Sequence, residues 1–179
     1  MARIYTMGGE AAERDLTVAH LIDAKGTQRR AQATATTADE AHAAVAAGID
    51  MLSVSAGAEL ALVRAAAPRM FLNCALPMTA YASADELMRG AMDAMEAGAD
   101  AVYYCGPTAW VAHLAQASGI PVMGHAGLVP RKSIWIGRLR AFGKTPEEAV
   151  KLWDDIRRLE DAGAFAVEIE VVPAELTAE

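Results

Sequence analysis

The sequence predicts an α/β fold built on a parallel sheet, and two observations carry that expectation. First, one local pattern recurs in VAAGIDMLSV (45–54), EAGADAVYY (96–104), QASGIPVMG (116–124) and DAGAFAVEI (161–169): a helix end, a glycine, then an apolar run. The glycine supplies the left-handed position that stops a helix. A continuous apolar run suits a strand buried on both faces of a parallel sheet. Second, helical patterns fill the intervals between these runs, so successive strands are joined by helical crossovers. A barrel and an open sheet both satisfy these two observations.

In chain order, LTVAHLIDAK keeps apolar residues at 16, 18, 21 and 22 and meets Gly26, which predicts a helix over 15–25. AQATATT gives a first strand at 31–36, followed by a helix at 38–47 and a strand at 50–55. After a helix at 58–66 the chain uses proline instead of glycine as its stop: LALVRAAAPRMFLNCAL breaks before Pro68 and opens a strand at 69–74. A helix at 84–97, a strand at 100–105, a helix at 107–117 and a strand at 120–124 follow. Thr145-Pro146-Glu147-Glu148 then sets an N-cap, a proline in the first turn and two acids, opening a helix at 146–161 that feeds the last strand, 164–170. Six strands in one domain, 1–179, is the expected organisation.

Composition excludes several classes. Net charge is −7, and no basic cluster is longer than Arg29-Arg30 or Arg131-Lys132, so nucleic acid and anionic membranes are unfavourable partners. No run reaches the 18 or so apolar residues of a membrane span, and the first residues lack a signal-type apolar core. A cytoplasmic protein is expected, in which Cys74 and Cys105 stay thiols.

Functional groups in parallel α/β folds collect at the C-terminal ends of strands. Those ends carry Ser53, Ser55 and Gly57, then Cys74, then Tyr103, Tyr104 and Cys105, then His125, and finally Glu168 and Glu170. Residues 125–144 form the longest stretch without a periodic pattern and hold Arg131, Lys132, Arg138, Arg140 and Lys144, the composition of a cover over a site. Each of these residues also has a plainer reading. Glu170 would then be a solvated strand-end carboxylate, His125 a cap for loop backbone, and Tyr103 and Tyr104 sheet packing. A thiolate-imidazole-carboxylate metal site from Cys74, Cys105, His125 and Glu170 lacks supporting spacing such as CxxC, and buried cysteines are favoured over it.

GIPVMGHAGLVPRKS (119–133), followed by FGKTPEEAVKLWDDIRRLEDAGAFAVEIEVVPAEL, resembles the ketopantoate hydroxymethyltransferases, members of the phosphoenolpyruvate mutase and isocitrate lyase superfamily. GADAVYYCGP, NCALPMTAY and IDMLSVSAG extend the resemblance upstream. It implies a parallel (β/α) barrel of TIM type, here truncated or reduced to six strands. It also implies an aldol-type reaction that adds a hydroxymethyl group from methylenetetrahydrofolate to the enolate of 3-methyl-2-oxobutanoate, with Mg²⁺ chelating the keto acid.

The resemblance matches the family's basic glutamate to Glu170 and the histidine of its GHxGL motif to His125, with Ser55, Tyr103 and Cys105 as substrate-binding positions. Its three acidic metal-ligand positions fall on Ala56, Ala75 and Cys105, and its carboxylate-binding lysine falls on Tyr103. Since Mg²⁺ depends on carboxylates and water, no cofactor is firmly implied.

A small-molecule carboxylate substrate is expected. A six-strand chain leaves sheet edges that a second copy would cover, so a homo-oligomer is expected too. Three functions fit: a hydroxymethyltransferase-like enzyme using Glu170, a metal-independent relative in which Tyr103, Cys105 and His125 replace the metal, and a non-catalytic assembly subunit.

Overall fold

Local sequence sets the elements of the computed structural model, which describes residues 1–178 as two compact units, Met1–Tyr103 and the chain from Tyr104 onward. The first unit opens with an antiparallel hairpin, β1 (Ala2–Tyr5) and β2 (Ala11–Arg14). Helix α1 (Val18–Asp23) follows, capped by the Thr17 hydroxyl. Next come β3 (Gln32–Thr34), α2 (Ala38–Ala46), β4 (Met51–Ser55), α3 (Ala58–Ala66), β5 (Phe71–Ala75), α4 (Ala84–Glu96) and β6 (Ala101–Tyr103). Helix α2 starts on a reciprocal box in which Thr37 caps Glu40 and Glu40 caps Thr37. Strands β3 to β6 are parallel and neighbour one another in chain order.

The second unit contains α5 (Thr108–Ser118), β7 (Val122–Gly127), a 3₁₀ turn (Pro130–Lys132), α6 (Ser133–Ile136), α7 (Pro146–Asp161), β8 (Ala166–Glu170) and α8 (Ala174–Thr177). β7 and β8 pair in parallel, with His125 beside Glu168 and Gly127 beside Glu170. Gly119 ends α5 in the left-handed conformation.

Five crossover helices therefore fall where periodicity places them, two of them, 58–66 and 146–161, residue for residue. The hairpin β1–β2 was not expected. Its strands are four residues long and one-sided, too short for an alternation to register. β7 runs on to Gly127, three residues beyond the expected 120–124, so His125 lies inside the strand. Residues 128–144, expected to be irregular, contain the 3₁₀ turn and α6. α8 was likewise unforeseen.

Strand alternation divides each sheet segment into two faces. In the first unit Leu52, Leu72, Val54, Cys74 and Val102 are fully enclosed together with Leu60, Val63 and Leu87 of the helices. The opposite face bears two rows set by register, Ser53–Asn73–Ala101 and Ser55–Ala75–Tyr103. In the second unit Val122, Gly124 and Ala126 take the helix side: a Cβ on Gly124 would sit 2.8 Å from the Leu159 side chain of α7. Met123, His125 and Gly127 take the other.

A buried charge cluster ties the N-terminal ends of the first unit's strands to the hairpin. The Asp100 carboxylate accepts from Arg14 Nε at 2.7 Å, from an Arg64 terminal nitrogen at 2.6 Å and from the Leu72 backbone at 2.9 Å. All three charged side chains are nearly or wholly enclosed. Burial holds the Arg64 guanidinium down to about 10, opposed by Asp100. Asp100→Asn leaves two guanidinium groups without their counter-charge and is expected to cost about 3–5 kcal/mol, read as a lower urea midpoint. An unchanged midpoint would show that the cluster contributes nothing.

Candidate functional site

His125 is the enclosed centre of the polar cluster in the second unit. Its side chain is 3% exposed, while those of Glu168 and Glu170 are 49% and 34% exposed. The register of β7 and β8 puts all three on one face, since Glu168 and Glu170 are two residues apart and stand beside His125 and Gly127. His125 Nε2 lies 2.7 Å from the Leu128 carbonyl oxygen. A carbonyl only accepts, so Nε2 carries the hydrogen. The same nitrogen is 3.9 Å from Glu170 Oε2, beyond hydrogen-bond range, and Nδ1 is 3.7 Å from Glu168 Oε2.

Backbone strain fixes where Glu170 ends. Val171 sits at φ 52°, a left-handed conformation that a β-branched residue adopts only when its surroundings impose it. Two hydrogen bonds do so: Leu128 N–H donates to the Glu170 carbonyl at 2.9 Å, and Phe142 N–H donates to the Val171 carbonyl at 3.0 Å. Gly127 must remain glycine, because at φ 92° an added Cβ would stand 2.3 Å from the Glu170 carbonyl oxygen.

Of the other expected site residues, Ser55 and Tyr103 share one row of the first unit, at the ends of β4 and β6, with Ala75 between them. Cys105 follows β6, is partly exposed and is not in a disulfide. Cys74 takes the opposite face, between Val54 and Val102, and burial pushes its thiol up to about 12. That orientation removes it from any shared metal site with Asn73-face groups. Among the described residues no three His, Cys, Asp or Glu side chains come together as metal ligands. The side chains of Ala56 and Ala75 have no donor atoms, so they do not supply the carboxylates a hard divalent cation depends on.

Glu168 was read only as a strand-end residue, although it faces His125 as closely as Glu170 does. The Glu-Ile-Glu alternation could have signalled it. The expected cover does not enclose anything at α6, where Ile134 and Trp135 stand 86% and 89% exposed. Its Arg140 is instead drawn to α7, pairing with Glu148 at 2.8 Å and lying over the Phe142 ring. Two clefts are lined by neither His125, Glu168 nor Glu170. One of about 620 Å³ in the first unit includes Ala56, Tyr81 and Asp93, and one of about 330 Å³ in the second includes Gly127, Arg140 and Asp155.

The fold places the chain among α/β proteins of a known type. It superposes on 2,3-dimethylmalate lyase, a PEP mutase/isocitrate lyase superfamily member, with a TM-score of 0.60 and 16% identity, over 87% of this chain and 64% of that one. An aldolase, QR15, matches with a TM-score of 0.55 and 14% identity, over 90% of this chain and 80% of the other.

Sequence narrows the class. The ketopantoate hydroxymethyltransferase family model matches residues 55–179, and the chain belongs to that family. The 3-methyl-2-oxobutanoate hydroxymethyltransferase of Pyrobaculum islandicum is 40% identical over 121 residues, covering 65% of this chain and 46% of the relative. That of Pyrobaculum calidifontis is 32% identical over 190 aligned residues, covering 93% and 72%. The chain spans about half the length of the first of these relatives. No helix among the described residues is long and apolar enough to cross a membrane.

Alkylation separates the two thiols. With the Cys74 thiol at about 12, only about one molecule in ten thousand is thiolate there at pH 8. Maleimide should therefore label Cys105 in the folded protein and reach Cys74 only after denaturation; labelling of both in the native state would contradict the facing deduced from register.

Proposed function

We propose that the chain is a ketopantoate hydroxymethyltransferase-like enzyme that abstracts a proton from a small α-keto acid at Glu170 and forms or cleaves a C–C bond at the resulting enolate. The fold proposed with it is a partial barrel of TIM type, and a second copy of the chain is proposed to cover exposed strand edges. The observation that supports this reading most directly is Glu170 itself. It ends a parallel strand within the stretch matched by the family, on the same face as an enclosed histidine.

Chemically, a carbon next to a keto group is acidic because its electron pair can be received by the carbonyl oxygen. Glu170, one-third exposed and set beside the imidazole, has the access and the position of a general base. It takes the C–H proton, the C–H electron pair becomes the C=C bond of the enolate, and the carbonyl π pair moves to oxygen. The enolate carbon can then attack a one-carbon electrophile. His125 is the polar ring beside that base, its own Nε2–H held by Leu128.

Mg²⁺, which the family resemblance implies, would polarise the keto acid where suitable ligands exist. Alanines at two of the three ligand positions do not supply them. This favours the second reading, enolisation without a metal.

The test is proton exchange in D₂O with 3-methyl-2-oxobutanoate, followed by loss of the C3 proton signal. Exchange is expected with or without Mg²⁺, and Glu170→Gln is expected to slow it by at least about 100-fold. No exchange above buffer would refute the keto-acid reading, and exchange strictly dependent on Mg²⁺ would refute the metal-free one.

A further inference from the structure

We propose that two copies of this chain associate through an apolar and basic arm, residues 131–139 in the second unit of one copy, seated in an acid-rimmed cleft in the first unit of the other. The contact does not depend on the role of Glu170, and it is distinct from the exposed strand edges.

The arm is poorly covered within its own chain. Ile134, Trp135 and Leu139 are 86%, 89% and 65% exposed, on the four-residue helix α6 and just after the turn that ends it. Arg131, Lys132 and Arg138, exposed as well, flank them. Clustered apolar side chains with a polar rim mark an interaction surface, and Trp and Arg are the side chains that most often anchor one. Charge specifies the partner. Residues 128–144 hold five basic residues and no acid, +5 in a chain of net charge −7, so the remainder of the chain carries −12. What the arm fits is an apolar recess bordered by carboxylates.

The first unit has such a recess. Leu60 of α3, Pro77 and Ala94 of α4 give apolar walls to the cleft of about 620 Å³, which has room for an indole, and Glu86 and Asp93 lie at its edge. Helix α4 bears Asp85, Glu86, Asp93 and Glu96 against Arg89 alone, a net charge of −3. Trp135 thus has apolar walls to cover, and an aromatic side chain of this kind buries about 150–250 Å². The flanking cations have carboxylates to face, which speeds encounter and fixes register. Because arm and cleft are different surfaces, the contact is heterologous, and every copy offers one of each.

That asymmetry supplies the test. Trp135→Ser disables the arm, while the double variant Ala80→Arg, Asp93→Lys blocks the cleft; all three residues are exposed, so the enclosed core is left intact. In sedimentation velocity up to about 100 μM, well above the micromolar dissociation constants of modest interfaces, the wild type should exceed the 18.8 kDa monomer mass. Each variant alone should associate at least about tenfold more weakly. Mixed in equal amounts, the two variants should form a one-to-one dimer, because the intact arm of one meets the intact cleft of the other.

A monomeric wild type would overturn the proposal. So would oligomers undiminished in the Trp135→Ser variant, which would assign association to another surface such as the strand edges. A mixture of variants that stays monomeric would overturn it too, since the arm would then have a different target. Cosedimentation of a monomeric wild type, but not of Trp135→Ser, with vesicles of equal parts phosphatidylserine and phosphatidylcholine would identify that target as an anionic membrane.

Discussion

One carboxylate carries the first unit. Asp100 stands at the start of β6 and holds a guanidinium from the hairpin, another from α3 and the backbone amide of Leu72 in β5. The cluster has one net positive charge in a nearly water-free place, and that surplus is spread over backbone carbonyls. Arg64 reaches Gly98, Ala67 and Met70, and both arginines reach Pro68. Such carbonyls are the unsatisfied acceptors at a helix end and a strand entry. Two orphan populations, buried cations and terminal carbonyls, thus satisfy one another. The arrangement fixes the N-terminal ends of β5 and β6, and because parallel strands share one register, it fixes which residues reach the opposite, C-terminal row.

That register sorts chemistry from packing. Cys74 and Ala75 are neighbours in sequence, yet one is enclosed between Val54 and Val102 while the other stands between Ser55 and Tyr103. The same rule gathers His125, Glu168 and Glu170 in the second unit, where a shift of one residue in β8 would have sent both carboxylates to the α7 side.

Much of this was legible in the sequence. The glycine-stopped repeats locate the helix-to-strand transitions, and Thr145-Pro146 gives the start of α7 to the residue, because capping and proline chemistry act locally. His125 and Glu170 were legible as strand-end groups. What the sequence withheld depends on contacts distant along the chain. Arg14 and Asp100 are 86 positions apart, so nothing local marks them as partners, and the hairpin bearing Arg14 is too short to show a period. The place of Glu168 beside His125 needed the pairing of β7 with β8, since an acid in a strand pattern otherwise reads as a solvated face. The 128–144 segment misled for the opposite reason: its basic residues look like a ligand-facing set, but Arg140 is engaged by Glu148 and α6 turns its apolar side chains outward.

The strained end of β8 connects fold to chemistry. Glu170 could be followed by an ordinary extended residue, in which case the strand would continue and its side-chain direction would be set by pairing alone. Instead the chain turns left-handed at Val171, and two amides from separate segments, Leu128 and Phe142, hold successive carbonyls. Leu128 is the pivot, because its amide fixes the Glu170 backbone while its carbonyl holds the His125 ring. Glu170 and its neighbouring imidazole are therefore referenced to the same residue. A displacement of that residue would move both together, preserving their 3.9 Å separation where independent supports would let it drift. The close approach of Gly127 to the Glu170 carbonyl is what allows the two strand ends to come near enough for this shared support, and that is why the GHAG run needs its second glycine.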